Sequence, residues 1–311
     1  MHETRGLTEI KYCFYIKKIY FLKVNLYFFK KMNELKFFKM HGLGNDFVII
    51  DIRETKISIR IKDIIIINDR RTGVGCDQLI LIEESSDNLA DCRIKIFNAD
   101  GSEAENCGNA LRCVGKLLFD TKKKNNFIIE TKSGLIDVEI SENELVSVDM
   151  GIPKFDWRDI PLSHPFNTSN LEIDTKTLKG GSCVNVGNPH VVFFQKELNK
   201  ENLIEDCKKI SNLKIFEDGV NINIANIKNP DLVELIVYER GVGFTNACGT
   251  GACATLAVCK SLNLTKKKIK IVMPGGELSV EILNDGHIIK TGPASKVFTG
   301  ILNNHIFDEF I

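Results

Sequence analysis

A chain of 311 residues with 43% hydrophobic content is long enough for two cored domains, and its 41 basic residues are balanced by 41 acidic ones. That balance argues against a surface built for nucleic acid or for an anionic membrane. Ten cysteines are present, but they form no Cys-x-x-Cys pair and follow no secretory signal pattern. A disulfide scaffold and a zinc knot are therefore disfavoured, and most of these thiols read as small buried hydrophobes of a reduced, cytoplasmic protein.

Residues 1–31 mix aromatics with lysines, from Tyr12 and Phe14 to Phe29 and Lys30. Lysine interrupts every apolar run, so no stretch spans a bilayer. We read 1–31 as an extension outside the fold, with Met32 as a candidate start. Leu35 to Met40 then reads as a strand, Gly42 to Asp46 as a turn and Phe47 to Asp51 as a strand. Arg60 to Arg71 has helical spacing and ends at Gly73-Val74-Gly75. Gln78 to Glu83 and Cys92 to Phe97 are strands. The turn Asn98-Ala99-Asp100-Gly101 precedes a helical run from Ala110 to Phe119. Phe127 to Thr131, Leu135 to Ile140 and Leu145 to Met150 form a meander, and Gly151-Ile152-Pro153 marks a boundary. Residues 156–181 are polar and irregular. Beyond them Cys183 to Val186 and Val191 to Phe194 are strands, and Asn202 to Leu213 is a helix. Ile222 to Ile227 and Leu232 to Tyr238 are strands. Ala252 to Leu262 is a helix, and Ile269 to Met273, Glu277 to Leu283 and His287 to Thr291 form a second meander.

The order of elements repeats, and so do the residues at the turns. Asn106-Cys107-Gly108-Asn109 is echoed by Ala247-Cys248-Gly249-Thr250, with the cysteines 141 residues apart. Gly44-Asn45 recurs as Gly187-Asn188, Gly73-Val74 as Gly219-Val220, and Gly134 as Gly276. Two copies are too few for a solenoid. They imply an α+β protein of two pseudo-symmetric domains, each a mostly antiparallel sheet around a central helix, with the active site in the interdomain cleft. The first domain would comprise residues 32–150, carrying the Cys107 turn. The second would comprise 151–293, carrying the Cys248 turn.

A lone cysteine at such a turn is more often a buried, inert thiol. Two in equivalent positions of a repeat reverse that reading. A thiol at a helix N-terminus feels the positive end of the dipole, which lowers its pKa. Gly108 and Gly249 allow close backbone approach, and the amides of Gly108, Asn109, Gly249 and Thr250 make two anion-binding corners. Two corners facing each other would grip one carboxylate with a thiol on either side of the adjacent carbon. That geometry suits removal of a proton from one face of a stereocentre and delivery of a proton to the other, one cysteine being thiolate and its partner thiol. Asn45, Gln78, Asn98, Asn188 and Asn221 all fall at strand or turn ends. Singly they read as turn-formers; together they read as a site for amino and carboxylate groups. Glu239-Arg240 offers an acceptor and a bidentate donor for a zwitterion, or else a surface ion pair. His190 reads equally as a modulator of a thiolate or as a structural histidine.

Met40 to Phe47, Phe97 to Glu103, Cys107-Gly108-Asn109, Gly187 to His190, Tyr238 to Gly241 and Ala247 to Gly251 resemble the motifs of the diaminopimelate epimerase family, spread from residue 33 to about 303. The resemblance implies cofactor-independent interconversion of LL- and meso-diaminopimelate in lysine and peptidoglycan biosynthesis. By motif, Cys107 and Cys248 match the acid–base cysteines. Asn45, Gln78, Asn98, Asn188, Asn221, Glu239 and Arg240 match substrate-binding positions, with Gly108, Asn109, Gly249 and Thr250 at the reacting carboxylate. His190 and Glu239 match positions that modulate the thiols. The resemblance further implies that Cys107 serves the LL form and Cys248 the meso form. It also implies that a C-terminal strand, residues 294–303, returns to the first domain, and that the protein is a homodimer with Phe298 near the interface. Where family members commonly carry Glu, in the Gly-x-Thr before the second cysteine, this chain has Phe244. Proline and hydroxyproline racemases usually read Cys-Gly-His at the first motif, so Asn109 argues against them. The cysteine pair argues against phenazine-type isomerases and against a non-catalytic amino-acid-binding protein. A redox pair would need the two thiols in contact at rest.

Overall fold

The repeat in the sequence is a repeat of topology. The computed structural model describes residues 34–55, 58–104 and 107–303. The 1–31 extension, the candidate start at Met32 and Asn106 lie outside them. In the first copy β1 (Glu34–Gly42) and β2 (Asn45–Asp51) form a hairpin through Leu43-Gly44, both at positive φ. From β2, α1 (Ile61–Asn68) crosses to β3 (Gln78–Glu83), which is parallel to β2. Next, β4 (Cys92–Asn98) returns antiparallel, and β5 (Glu103–Ala104) pairs with it. The second helix, α2 (Gly108–Lys122), leads to β6 (Asn126–Thr131), parallel to β4. A meander through β7 (Gly134–Ile140) and β8 (Val146–Asp149) ends the copy.

The second copy follows the same path. β9 (Ser182–Asn185) and β10 (Pro189–Phe194) are antiparallel, and α3 (Lys200–Ser211) crosses to β11 (Asn221–Asn229), parallel to β10. β12 (Leu232–Glu239) and β13 (Gly243–Thr245) precede α4 (Gly249–Ser261). The meander is β14 (Lys268–Met273), β15 (Gly276–Ile282) and β16 (Ile288–Gly292). All four parallel pairs in these copies join strands separated by a helical crossover, as parallel pairing requires. The copies are joined by β8 and β16, paired antiparallel from Ile289↔Asp149 to Gly292↔Val146. Both belong to one unit, residues 38–298. A smaller unit holds one end of β1, as far as Phe37, and one end of β17 (Ser295–Asn303), from Thr299. In it Leu35, Phe37 and Leu302 are buried.

The two central helices explain the core. α2 buries Leu111, Cys113, Val114, Leu117 and Leu118 and turns Lys116 and Asp120 outward, where they pair. α4 is apolar almost all round and is buried almost all round, from Ala252 to Cys259. Both helices join the strands of both copies in a single hydrophobic cluster. Each fully buried leucine there contributes about 1.5–3 kcal/mol. No helix among the described residues is long and apolar enough to cross a membrane.

One expectation needs correction. The helix expected from Arg60 to Arg71 stops at Asn68. The Asp69 carboxylate takes the N–H groups of Arg71 and Thr72, a local alternative to continuing the helix. Residues 156–181 are irregular as read, yet Ile160, Leu162, Leu171, Ile173 and Leu178 are buried with α3 in a second cluster. The Asp206 carboxylate of α3 fixes that segment by accepting the N–H groups of Lys176, Thr177 and Leu178.

Candidate active site

Cys107 and Cys248 occupy the same structural position: each is the N-cap of a central helix, with extended φ/ψ of −146°/102° and −126°/112°. The helix ends that follow them are adjacent. A Cβ placed on Gly249 would stand 2.9 Å from the Asn109 Oδ1. Cys107 is half-buried and Cys248 is buried. Burial pushes both thiols above their ordinary value. At Cys107 the N–H groups of Ala110 and Asn109 and the charge of Lys290 pull the other way. At Cys248 the nearby Glu239 carboxylate adds to the rise, while Thr250 and the Gly251 N–H oppose it. The lowering expected from the helix ends is outweighed by burial. The nine cysteines of the described residues are all free, so Cys107 and Cys248 form no disulfide.

The Cys107 side of the site is tied to the β1–β2 turn. Asn45 Oδ1 accepts from Asn109 Nδ2 at 3.2 Å and lies 3.9 Å from the Cys107 Sγ. Asn45 Nδ2 donates to Asp77 at 2.9 Å. Asp46 is gripped by Lys39 at 2.6 Å and by both terminal nitrogens of Arg70, which also reaches Asp77. Burial works against the Asp46 charge, but these cations hold its pKa down at about 2. Asp46→Asn is expected to cost about 1.5–3 kcal/mol at neutral pH. Because the folded value lies below the ordinary 3.8, this contribution is complete above that pH and is lost as pH falls through about 2. Thermal denaturation of both proteins at pH 7 and pH 2.5 checks this, and an unchanged gap in Tm would contradict it. Further along the sheet Gln78 Nε2 donates to Asn98 Oδ1 at 2.9 Å, and Asn98 Nδ2 donates to Ser102.

On the other side Cys248 Sγ accepts the Gly251 N–H at 3.4 Å and lies 3.4 Å from the Thr250 hydroxyl. Glu239 accepts from Thr245 and, beside the Cys248 thiol, has its own pKa raised by burial. His190 is fully buried between Asn223 (3.1 Å) and Asn188 (2.9 Å). The Asn223 Nδ2 is committed to the Gly251 carbonyl and Thr255, so its Oδ1 takes the proton of His190 Nδ1. Burial pulls His190 down to about 4, so it is neutral at physiological pH. Among the described residues its ring nitrogens lie against asparagines and not against either thiol; through Asn223 it braces the first turn of α4. Asn221 donates to the Pro189 carbonyl and accepts the Arg240 N–H. The Arg240 side chain is exposed and donates to the Asp218 carbonyl. Phe244 packs edge-on against Tyr238, with ring centroids 5.3 Å apart.

Four residues here escaped the sequence reading: Asp77, Asn223, Arg112 and Lys290. Asp77 and Asn223 carry no local signal. Lys290 did carry one, because it shares the inward phase of β16 with Ile288 and Gly292. Both Gly108 and Gly249 face it: a Cβ on the first would lie 1.9 Å from Lys290 Nζ, and on the second 2.5 Å. The absent side chains therefore make room for a lysine as well as for ligand approach.

Solved structures of several enzyme types superpose on this chain, among them an epimerase, a probable racemase and phenazine biosynthesis proteins of the PhzF family. A hydroxyproline epimerase from Agrobacterium vitis superposes with a TM-score of 0.65 at 14% identity, over 87% of this chain and 93% of its own. A probable proline racemase from Agrobacterium radiobacter gives 0.66 at 14%, over 88% and 94%. At that identity they define the fold, the two-domain α+β epimerase–racemase architecture. The family model for diaminopimelate epimerase matches residues 37–155 and 182–297. Proteins named diaminopimelate epimerase are 43% identical over 267 residues in Rhizorhabdus wittichii (86% of this chain, 94% of the relative) and 40% identical over 270 in Pelagibacter ubique (85% and 97%). The chain belongs to the diaminopimelate epimerase family, a family of isomerases.

Proposed function

We propose that this protein interconverts LL- and meso-diaminopimelate without a cofactor, with Cys107 and Cys248 as the acid–base pair. The observation that carries the reading is the pair of thiols, each capping one of two adjacent central helices. The substrate's reacting carboxylate sits against the N–H groups of Gly108, Asn109, Gly249 and Thr250, where the helix dipoles favour negative charge. One cysteine, as thiolate, takes the α-hydrogen. The electron pair left on carbon is delocalised into the carboxylate, whose growing charge those N–H groups stabilise. The opposite thiol then gives its proton to the other face, and the two cysteines have exchanged protonation states. Cys107 acts on the LL form and Cys248 on the meso form. Asn45, Gln78, Asn98, Asn188, Asn221, Glu239 and Arg240 hold the amino and carboxylate groups. Glu239, against Cys248, modulates that thiol, and His190 does so through the α4 turn.

Residues 32–150 with 294–303 and residues 151–293 are the two domains of this reading, with the substrate between them. The protein acts in the cytoplasm as a homodimer. The exposed Val297 and Phe298 of β17, 57% and 46% accessible, support a contact there. The test is incubation of purified protein, without pyridoxal phosphate, with LL-diaminopimelate, L-proline and trans-4-hydroxy-L-proline in turn, followed by chiral chromatography. Meso-diaminopimelate should form while the ring amino acids remain unchanged. Inversion of proline alone would assign the two thiols to the other substrate class.

A further inference from the structure

Lys290 is the one lysine whose side chain is completely buried among the described residues, and its Nζ has no hydrogen-bond partner. Its cross-strand neighbours are Val148 on β8 and Val280 on β15, so the sheet supplies no counter-charge. The side chain instead runs to the point where α2 and α4 begin, with Nζ against both Gly108 and Gly249. The groups that face it are Arg112 from α2 and the thiols of Cys107, Cys248 and Cys253. Cys113 lies beside Arg112 on α2, and Glu239 faces the two N-cap thiols from β12. Arg112 is itself a buried cation, with one bond to the Pro293 carbonyl, and repels the lysine. Two helix N-termini add further positive potential. A buried ammonium in such surroundings has to be answered by an anion. Sulfur is the only source of one among the groups that face it.

We propose that Lys290 is a positioning residue of the epimerase, its buried ammonium being the shared counter-charge for whichever of Cys107 and Cys248 is thiolate. The proposal rests on the reading of those cysteines as the acid–base pair. In each turnover one thiolate gains a proton and the opposite thiol loses one, so negative charge passes from one helix N-cap to the other. A cation fixed under both caps serves either state without moving. Burial and Arg112 pull the lysine down to about 8, which leaves it mostly protonated at neutral pH, and the low dielectric around it strengthens its attraction to a newly formed thiolate.

The experiment measures thiolate directly and without substrate. Alkylation of Cys107 and Cys248 by iodoacetamide is followed by peptide mass spectrometry from pH 5 to 10 in the wild type, Lys290→Met and Lys290→Arg. Removing the charge should slow alkylation about tenfold at pH 7 and move its profile to higher pH by about one pH unit, whereas Lys290→Arg keeps the wild-type profile. The acidic limb of kcat/KM for LL-diaminopimelate should move the same way. Superimposable alkylation profiles in folded wild type and Lys290→Met would overturn the proposal. Lys290→Gln carries the same comparison if the Met variant does not fold. A profile that shifts with Lys290 in a protein inactive on diaminopimelate would support the counter-charge and sink only the substrate reading.

Discussion

Cys107→Ser and Cys248→Ser are each expected to lower kcat/KM for the LL-to-meso conversion by about 10²–10⁴-fold, the usual contribution of a positioned acid or base. A serine hydroxyl remains a hydrogen-bond donor but is far too weak an acid to form the anion the mechanism needs. The loss should come without loss of stability. Both cysteines are helix N-caps, and serine is a favoured residue there. At position 248 a hydroxyl can take over the bond that Sγ now accepts from the Gly251 N–H. Kinetics and thermal denaturation on the same preparations check this. A serine variant with half the wild-type rate would remove that cysteine from the chemistry.

Gly275→Ala should lower both stability and activity. A Cβ there would stand 2.2 Å from the Leu43 carbonyl oxygen and 3.0 Å from that of Asn246. Both obstacles are backbone, so no rotamer change relieves them. The Gly275 N–H also donates to the Asn246 carbonyl at 2.7 Å. The β14–β15 turn thus fixes two loops at once: Leu43 leads into Asn45, and Asn246 leads into Cys248. Overpacking of this kind costs about 1–3 kcal/mol, which lowers Tm by about 2–4 °C per kcal/mol in a chain of this size. Activity should fall further than stability predicts, because the displaced loops carry a thiol and the asparagine beside its partner. A variant with wild-type Tm and wild-type activity would contradict that account.

The sheet is readable from two apolar patterns, the alternation of Phe127–Thr131 and the unbroken apolar run from Leu79 to Ile82. Gln78–Glu83 was placed to the residue, and Phe127–Thr131 and Ile269–Met273 to within one. The cysteine turns were readable because they occur twice, and in the structure both begin a central helix. Other features rest on contacts between residues distant in sequence. Asp206 anchors a segment 28 to 30 residues away, so the buried face of residues 156–181 leaves no periodic trace. Asn223 sits inside a strand, where an asparagine gives no sign that its amide joins a histidine to a helix. A lysine in a strand is expected to face water, which hides Lys290. Its inward phase, between Ile288 and Gly292, was the cue.

The central claim is that two thiols act from opposite faces of one carbon. It is tested most directly by running the reaction in heavy water from unlabelled LL-diaminopimelate and stopping it in the first few percent of turnover. With two bases, the meso product carries one deuterium at the inverted carbon, delivered by the thiol that did not abstract the proton, while the remaining LL substrate stays unlabelled. If a single group both removed and returned the proton, deuterium would appear in recovered LL substrate as readily as in product, and the two-thiol account would be wrong.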